Sequence, residues 1–207
     1  MKKVLLLLSL LVLYGSPLKC QDSLKDTNLI SIEKAKLKNI DLNEFIYQNI
    51  GMPDLMTSFD KNLNVVVSFM IKKNGEVDSI NIIKNPAKNF TNEVLRVLEK
   101  TIGQWIPTKI NGTAVDKKYI TSFKYVFSNE YFDKKAKAAK LIKKGNYNQA
   151  LNLINEAMSF NEYDVELFQT RSTIYKSLNQ PELEKSDLQK IQWLKDNLLI
   201  NVWITVK

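Results

Sequence analysis

The pattern of apolar and polar residues from Asn64 to Ile83 fixes a register about the pair Asn74-Gly75. Asn-Gly is a strong hairpin signal, because both central residues of a type I′ turn need a positive φ that asparagine and glycine tolerate. Folding about that pair sets Lys73 opposite Glu76, Phe69 opposite Ile80 and Val67 opposite Ile82, so large apolar side chains meet on one face. The other face pairs Met70 with Ser79 and Ser68 with Asn81, so only one side demands cover. Upstream, Asp41 and Glu44 form a capping box before Leu42, Phe45, Ile46 and Ile50, which follow at helical spacing until Gly51 and the extended Met52-Pro53. Downstream, the turn Lys84-Asn85-Pro86 leads to a helix that Asn89 or Thr91 can cap. Its Phe90, Val94, Val97, Leu98, Thr101 and Trp105 fall three and four apart and make one stripe, the natural cover for the hairpin. Trp105-Ile106-Pro107 ends that helix and Asn111-Gly112 turns the chain. Tyr119, Thr121, Phe123, Tyr125 and Phe127 then alternate as a third strand. Residues 41–129 thus predict a small α+β unit with helices packed on a three-stranded antiparallel sheet, one edge of which is left open, as either an aggregation risk or a docking edge.

From Tyr131 the spacing turns helical throughout. Ala138, Leu141, Gly145, Tyr147, Ala150, Leu151, Ile154 and Ala157 have the small-residue rhythm of two closely packed helices, and the unit resembles a tetratricopeptide repeat. Ser172, Tyr175 and Leu188 lie one repeat length after Ala138, Leu141 and Ile154. A second, degenerate copy is therefore expected, with Glu184 in place of Ala150 and Ile191 in place of Ala157. An all-α repeat region over 130–196 follows the first unit. Two repeats are fewer than the three that usually stand alone, so they lean on the first domain, dimerise, or use the C-terminal stretch as a cap. Residues 197–207, with Leu198, Leu199, Ile200, Val202, Trp203, Ile204 and Val206, are too apolar for a free tail. They either cap the repeats or pair with the open sheet edge and fill it in cis.

The N-terminus has its own pattern. Met1-Lys2-Lys3 precedes an apolar run from Val4 to Leu13, interrupted by Ser9, and then Gly15, Ser16 and Pro17. A charged start, a short apolar run and a turn-like exit over residues 1–20 make a secretory signal peptide. The run falls short of the roughly 20 residues a membrane span needs. Pro17-Leu18-Lys19-Cys20 resembles a bacterial lipoprotein box only in part, since Lys19 stands where a small residue belongs. Cys20 is either lipidated or removed with the signal. Residues 21–40 show no clean period and are expected to be a linker.

The formal charge of +8 becomes +5 once Lys2, Lys3 and Lys19 leave with the signal. The densest basic run, Lys134 to Lys144, reads as a solvated helix face rather than a nucleic-acid surface, because an exported protein meets little nucleic acid. The chain has no histidine and a single cysteine at the signal boundary, so it lacks the commonest general base and any nucleophilic pair. Its six glycines are scattered through turns and form no phosphate loop. No enzyme activity, cofactor or metal is expected.

The order Leu42 to Ile46, Met52-Pro53, a hairpin at Asn74-Gly75, Asn92-Glu93-Val94-Leu95-Arg96, Trp105-Ile106-Pro107, Asn111-Gly112 and a closing Tyr125-Val126-Phe127 resembles the TonB C-terminal domain over roughly 41–128. Methionine stands at position 52 where that family usually has tyrosine. The resemblance implies a periplasmic, non-enzymatic module that grips an extended segment of a TonB-dependent outer-membrane transporter by strand addition. The implied site is the strand Tyr119, Ile120, Thr121, Ser122, Phe123, Lys124, Tyr125, Val126 and Phe127. A second envelope protein would be recruited through the repeats, and a homodimer is the other assembly considered. Working transducers of that family carry an uncleaved anchor and a long proline-rich spacer, whereas this chain has five prolines in all. The alternative expectation is a structural envelope adaptor that keeps the fold without transport.

Overall fold

The structure, a computed structural model, describes residues 30–53 and 62–205. The signal segment with Cys20, the first half of the expected linker, and Val206 lie outside the described residues. In chain order the elements are β1 (Ile32–Glu33), β2 (Lys36–Leu37), α1 (Leu42–Asn49), β3 (Leu63–Ile71), β4 (Val77–Lys84), α2 (Lys88–Glu99), β5 (Trp105–Ile106), β6 (Lys109–Ile110), β7 (Thr113–Ala114) and β8 (Lys117–Val126). They continue with α3 (Glu130–Lys143), α4 (Tyr147–Phe160), α5 (Val165–Ser177), α6 (Pro181–Asn197) and β9 (Leu198–Thr205). The principal sheet has the order β4-β3-β8-β9.

The expectation of three strands with an open edge at the last is therefore corrected. β3 and β4 are antiparallel, β3 and β8 are antiparallel, but β9 runs parallel to β8 from Ile120–Leu198 to Val126–Thr205. A parallel pair needs a long crossover connection. Here the crossover is α3 to α6, so the repeats carry the chain back to the start of the sheet.

The hairpin differs from its expected geometry in one informative way. Lys72 N–H donates to Glu76 O and Gly75 N–H to Lys72 O, leaving a three-residue loop in which Gly75 alone has a positive φ of 87°. This is a turn followed by a left-handed glycine, not a type I′ pair. The extra loop residue shifts the register, so Met70 faces Asp78 rather than Ser79. A bulge at Ser79, whose φ is 55°, restores the expected pairings of Ser68 with Asn81 and Val67 with Ile82. The type I′ geometry occurs instead at Asn111-Gly112, with φ values of 50° and 78°, between the paired residues Ile110 and Thr113.

Both faces of β3 and β8 are covered, while the edge strand β4 has no buried residue. On one side Val65, Val67, Phe69 and Ile71 of β3 join Tyr119, Phe123 and Tyr125 of β8 and Ile200 and Val202 of β9 under Phe45, Ile46, Phe90, Val94, Val97 and Leu98. That is the stripe read from the sequence, although α2 starts at Lys88 with Ala87 as its N-cap, which places Asn89 and Thr91 inside the helix. Asp41 does cap α1, accepting from the amides of Asn43 and Glu44. On the other side Val66 packs with Tyr163, Phe168, Ile191 and Leu194, and Ile120 and Leu198 flank them. The helices α5 and α6 thus lean on the sheet.

The two helical hairpins keep a common backbone design. Gly145 and Asn179 both have left-handed φ, and Asn146 N–H donates to Leu141 O as Gln180 N–H donates to Tyr175 O. These are Schellman closures one repeat length apart. The degeneracy of the second copy has a structural reason at Ile191, which turns to the sheet where Ala157 packs among helices. Arg171 of α5 holds the buried Asp187 of α6 with two hydrogen bonds of 2.9 and 2.7 Å and donates to Asn155 of α4 at 2.9 Å.

The segment expected as linker is structural from Ile32 on. β1 pairs with β6 and β2 with β5, burying Ala35 and Leu37. At two residues each these strands are too short to announce themselves, although the buried Ala35 and Leu37 alternate with Lys34, Lys36 and Lys38.

A Cβ added to Gly75 would lie 2.6 Å from the Trp105 carbonyl oxygen, whereas one on Gly112 meets nothing within 4 Å. Both positions carry the left-handed penalty of about 1–2 kcal/mol. In urea denaturation Gly75→Ala is expected to lose clearly more stability than Gly112→Ala. Equal losses would remove the close approach from the account.

Candidate functional site

The expected binding strand is an interior strand. Tyr119, Thr121, Ser122, Phe123, Lys124, Tyr125 and Val126 are all buried, and Ile120 and Phe127 are half-buried. Apart from the Lys124 ammonium and the Tyr125 hydroxyl, which is buried without a hydrogen-bond partner, their polar groups are engaged locally. Tyr119 Oη shares a 2.7 Å hydrogen bond with Thr108 and accepts from the Ala35 amide at 3.4 Å, which ties the N-terminal strands to β8. Thr121 Oγ1 donates to Val67 O at 3.2 Å and Ser122 Oγ to Asn64 Oδ1 at 2.9 Å. Tyr125 stacks edge-on against Phe90 at 4.5 Å, and burial pushes its phenol well above the ordinary range. Phe127 also meets Phe90, and its amide donates to Asn62 Oδ1 at 2.8 Å.

Lys124 is the buried charge of the strand. It is 1% exposed, sits on the repeat-facing side across from Asn64, and has the Phe160 ring 6.0 Å away. Burial, and secondarily the charge of Lys84, lowers its pKa to about 8, with Glu162 opposing.

What occupies the edge is β9. Ile200, Val202 and Ile204 alternate into the core beneath α1 and α2. Trp203 faces the other way, with its ring 4.5 Å from Tyr131 and 5.4 Å from Phe132 on α3. Tyr131 is itself fixed by donating to Asp164, and burial followed by that bond raises its pKa far above the phenol range. Tyr47 Oη donates to Trp203 O at 3.2 Å and Lys34 Nζ to Leu198 O at 3.1 Å, so side chains of α1 and the N-terminal segment meet carbonyls of β9. Asn201 Nδ2 donates to Tyr163 O at 3.4 Å. The alternation of Ile200, Val202 and Ile204 was the sequence signal for this strand. Nothing local announced that Lys34, Tyr47, Asn62 and Asn64 join the same region.

The arrangement suits exchange of one extended segment for another. The backbone ladder is generic, apolar side chains alternate into the core, and one aromatic anchors the other face. Among the described residues no cluster of three or more acidic, cysteine or histidine side chains is placed to hold a metal, and no helix is long and apolar enough to cross a membrane.

Residues 61–127 match the family model of the Gram-negative bacterial TonB protein C-terminal. No curated protein and no solved structure gives a significant match. The TonB-like segment spans β3 to β8 and stops where β8 ends. β9, α1, the N-terminal strands and the repeats lie outside it. Within the TonB-like unit β8 is thus the last strand, and the strand that covers its free side comes from elsewhere in the chain.

A buried ammonium makes stability depend on pH. Below about pH 8 Lys124 is charged in both states and the folded state bears the desolvation penalty. Between about 8 and the ordinary 10.5 the unfolded chain binds the proton more tightly, so stability rises with pH. Lys124→Met is expected to stabilise the protein by roughly 2–3 kcal/mol at pH 7. The gain should fade as the pH passes 10.5, as followed by chemical denaturation across that range. A pH-independent difference between variant and parent would contradict this.

Proposed function

We propose that this chain is a non-enzymatic envelope module that binds an extended segment of a TonB-dependent outer-membrane transporter along β8, and that β9 occupies this edge in cis. The observation that carries the reading is the parallel pairing of β9 with β8 just outside the TonB-like segment. The incoming segment would repeat the pattern of β9, with apolar residues at the positions of Ile200, Val202 and Ile204 and an aromatic near Trp203. Export by the N-terminal signal, with Cys20 lipidated or removed, places the module in the periplasm. The repeats recruit a second envelope protein, for which Leu183 and Leu188, half exposed on α6, offer apolar contacts.

A structural adaptor is the second reading, favoured by the same closure of the edge and by the packing of the repeats on the sheet. The two part on one experiment. Because β8 is interior, proline within it would break the fold, so β9 is the element to loosen. Trp203→Ala removes the contacts with Tyr131 and Phe132 while leaving Ile200 and Val202 in the core. A segment that binds only the open state has an apparent affinity set by the open fraction. If the variant weakens closure by about 2 kcal/mol, affinity for a synthetic transporter N-terminal segment should rise roughly 30-fold by calorimetry. Folded Trp203→Ala protein with unchanged or weaker binding would refute occupancy in cis, and no binding by either protein would leave the adaptor.

A further inference from the structure

Apart from the strand edge, a cavity of about 360 Å³ lies at the seam between the sheet and the repeats. Its sheet wall carries Lys124 and Asn64, opposite one another on β8 and β3, with Asn62 two residues before Asn64. Lys124 and Asn64 are 1% and 4% exposed. Asn62 Oδ1 is taken by the amides of Phe127 and Ser128, and Asn64 Oδ1 by Ser122 Oγ. Those bonds fix both amide groups, and both Nδ2 atoms are left buried without a partner. The Lys124 ammonium makes no hydrogen bond or ion pair among the described residues, its contact being the Phe160 ring. Three donors therefore share one cavity and none meets an acceptor there, the Glu130 carboxylate on its rim being paired with Lys134 and the Ser159 hydroxyl donating to Glu156 O. Buried polar groups in folded proteins are nearly always satisfied, so such a cluster asks for an acceptor.

The surrounding charges narrow what that acceptor is. Lys84 is paired with Glu162 at 3.6 Å, and Glu130 with Lys134 at 3.2 Å. Lys124 is the uncompensated charge, so one negative charge balances the wall, while a phosphate dianion would meet the repulsion of Glu130 and Glu162. Phe160 and Pro86 supply an apolar side. We propose that this cavity binds an aliphatic carboxylate, with the head group on Lys124 Nζ and the Asn62 and Asn64 amides and a short hydrocarbon tail against Phe160. A free acid in solution and the terminus of a peptide present the same group. A cavity of this size lies at the small end of ligand sites and suits a few carbon atoms.

The test is a titration of the full chain, with butyrate and with a valine-ended tetrapeptide, followed by NMR of the lysine Cε–Hε signals and by saturation transfer to the ligand. At least one of the two should bind saturably, at roughly millimolar affinity for a ligand this small. The one that binds identifies the source of the carboxylate. Butyramide, or the tetrapeptide with an amidated end, should fail to compete. Lys124→Met should weaken binding by at least about tenfold, and Asn64→Asp should do the same, because it sets a fixed carboxylate beside Lys124 while keeping the acceptor for Ser122. Thermal melts confirm that each variant is folded. Absence of saturable binding for both ligands, or equal affinity in folded Lys124→Met protein, would overturn the proposal and leave the cavity to water.

Discussion

The structure depends on the hydrogen-bonding needs of one strand. β8 is covered on both faces, by α1 and α2 on one side and by the repeats on the other, so its backbone cannot turn to water for partners. β3 satisfies one side. The other must be met by a further strand wherever that part of the sheet is sheltered, and β9 meets it. Deep burial of β8 and closure by β9 are thus the same fact seen from two directions, and the helical hairpins are what makes both necessary, since they shelter the second face and deliver the strand.

Much of this was legible in the residue pattern, because periodicity reports which face is buried. The stripe from Phe90 to Leu98, the alternation along β8 and the phase between Leu141 and Tyr175 each describe one element at a time and appear in the fold, but α2 ends at Glu99, and Trp105, expected at its end, lies on β5. What escaped is what no single element states. The hairpin face bearing Ser68 and Met70 looked free because its cover, Ile191 and Leu194, arrives more than a hundred residues later. The strands at Ile32 and Lys36 were hidden by their two-residue length.

The two Asn-Gly pairs show the limit in miniature. Identical dipeptides take different turns, a lone left-handed glycine at Gly75 and a type I′ pair at Asn111-Gly112. The difference follows from surroundings: Gly75 nests against the carbonyl of Trp105, and Asn111 exchanges hydrogen bonds with Ser31 of the N-terminal segment. The strand expected from Tyr119 to Phe127 is present as β8, but it is interior and not an edge, because exposure is a property of the assembled sheet rather than of the strand.

The crossover through α3 to α6 also fixes how hard the edge is to invade. A strand tethered by packed helices is presented to its neighbour at an effective concentration on the order of millimolar or above. A free segment of equal intrinsic affinity at micromolar levels would be outcompeted by β9 nearly all the time. Any segment that is to replace β9 must therefore be crowded at a surface or match the edge better than the chain's own strand does.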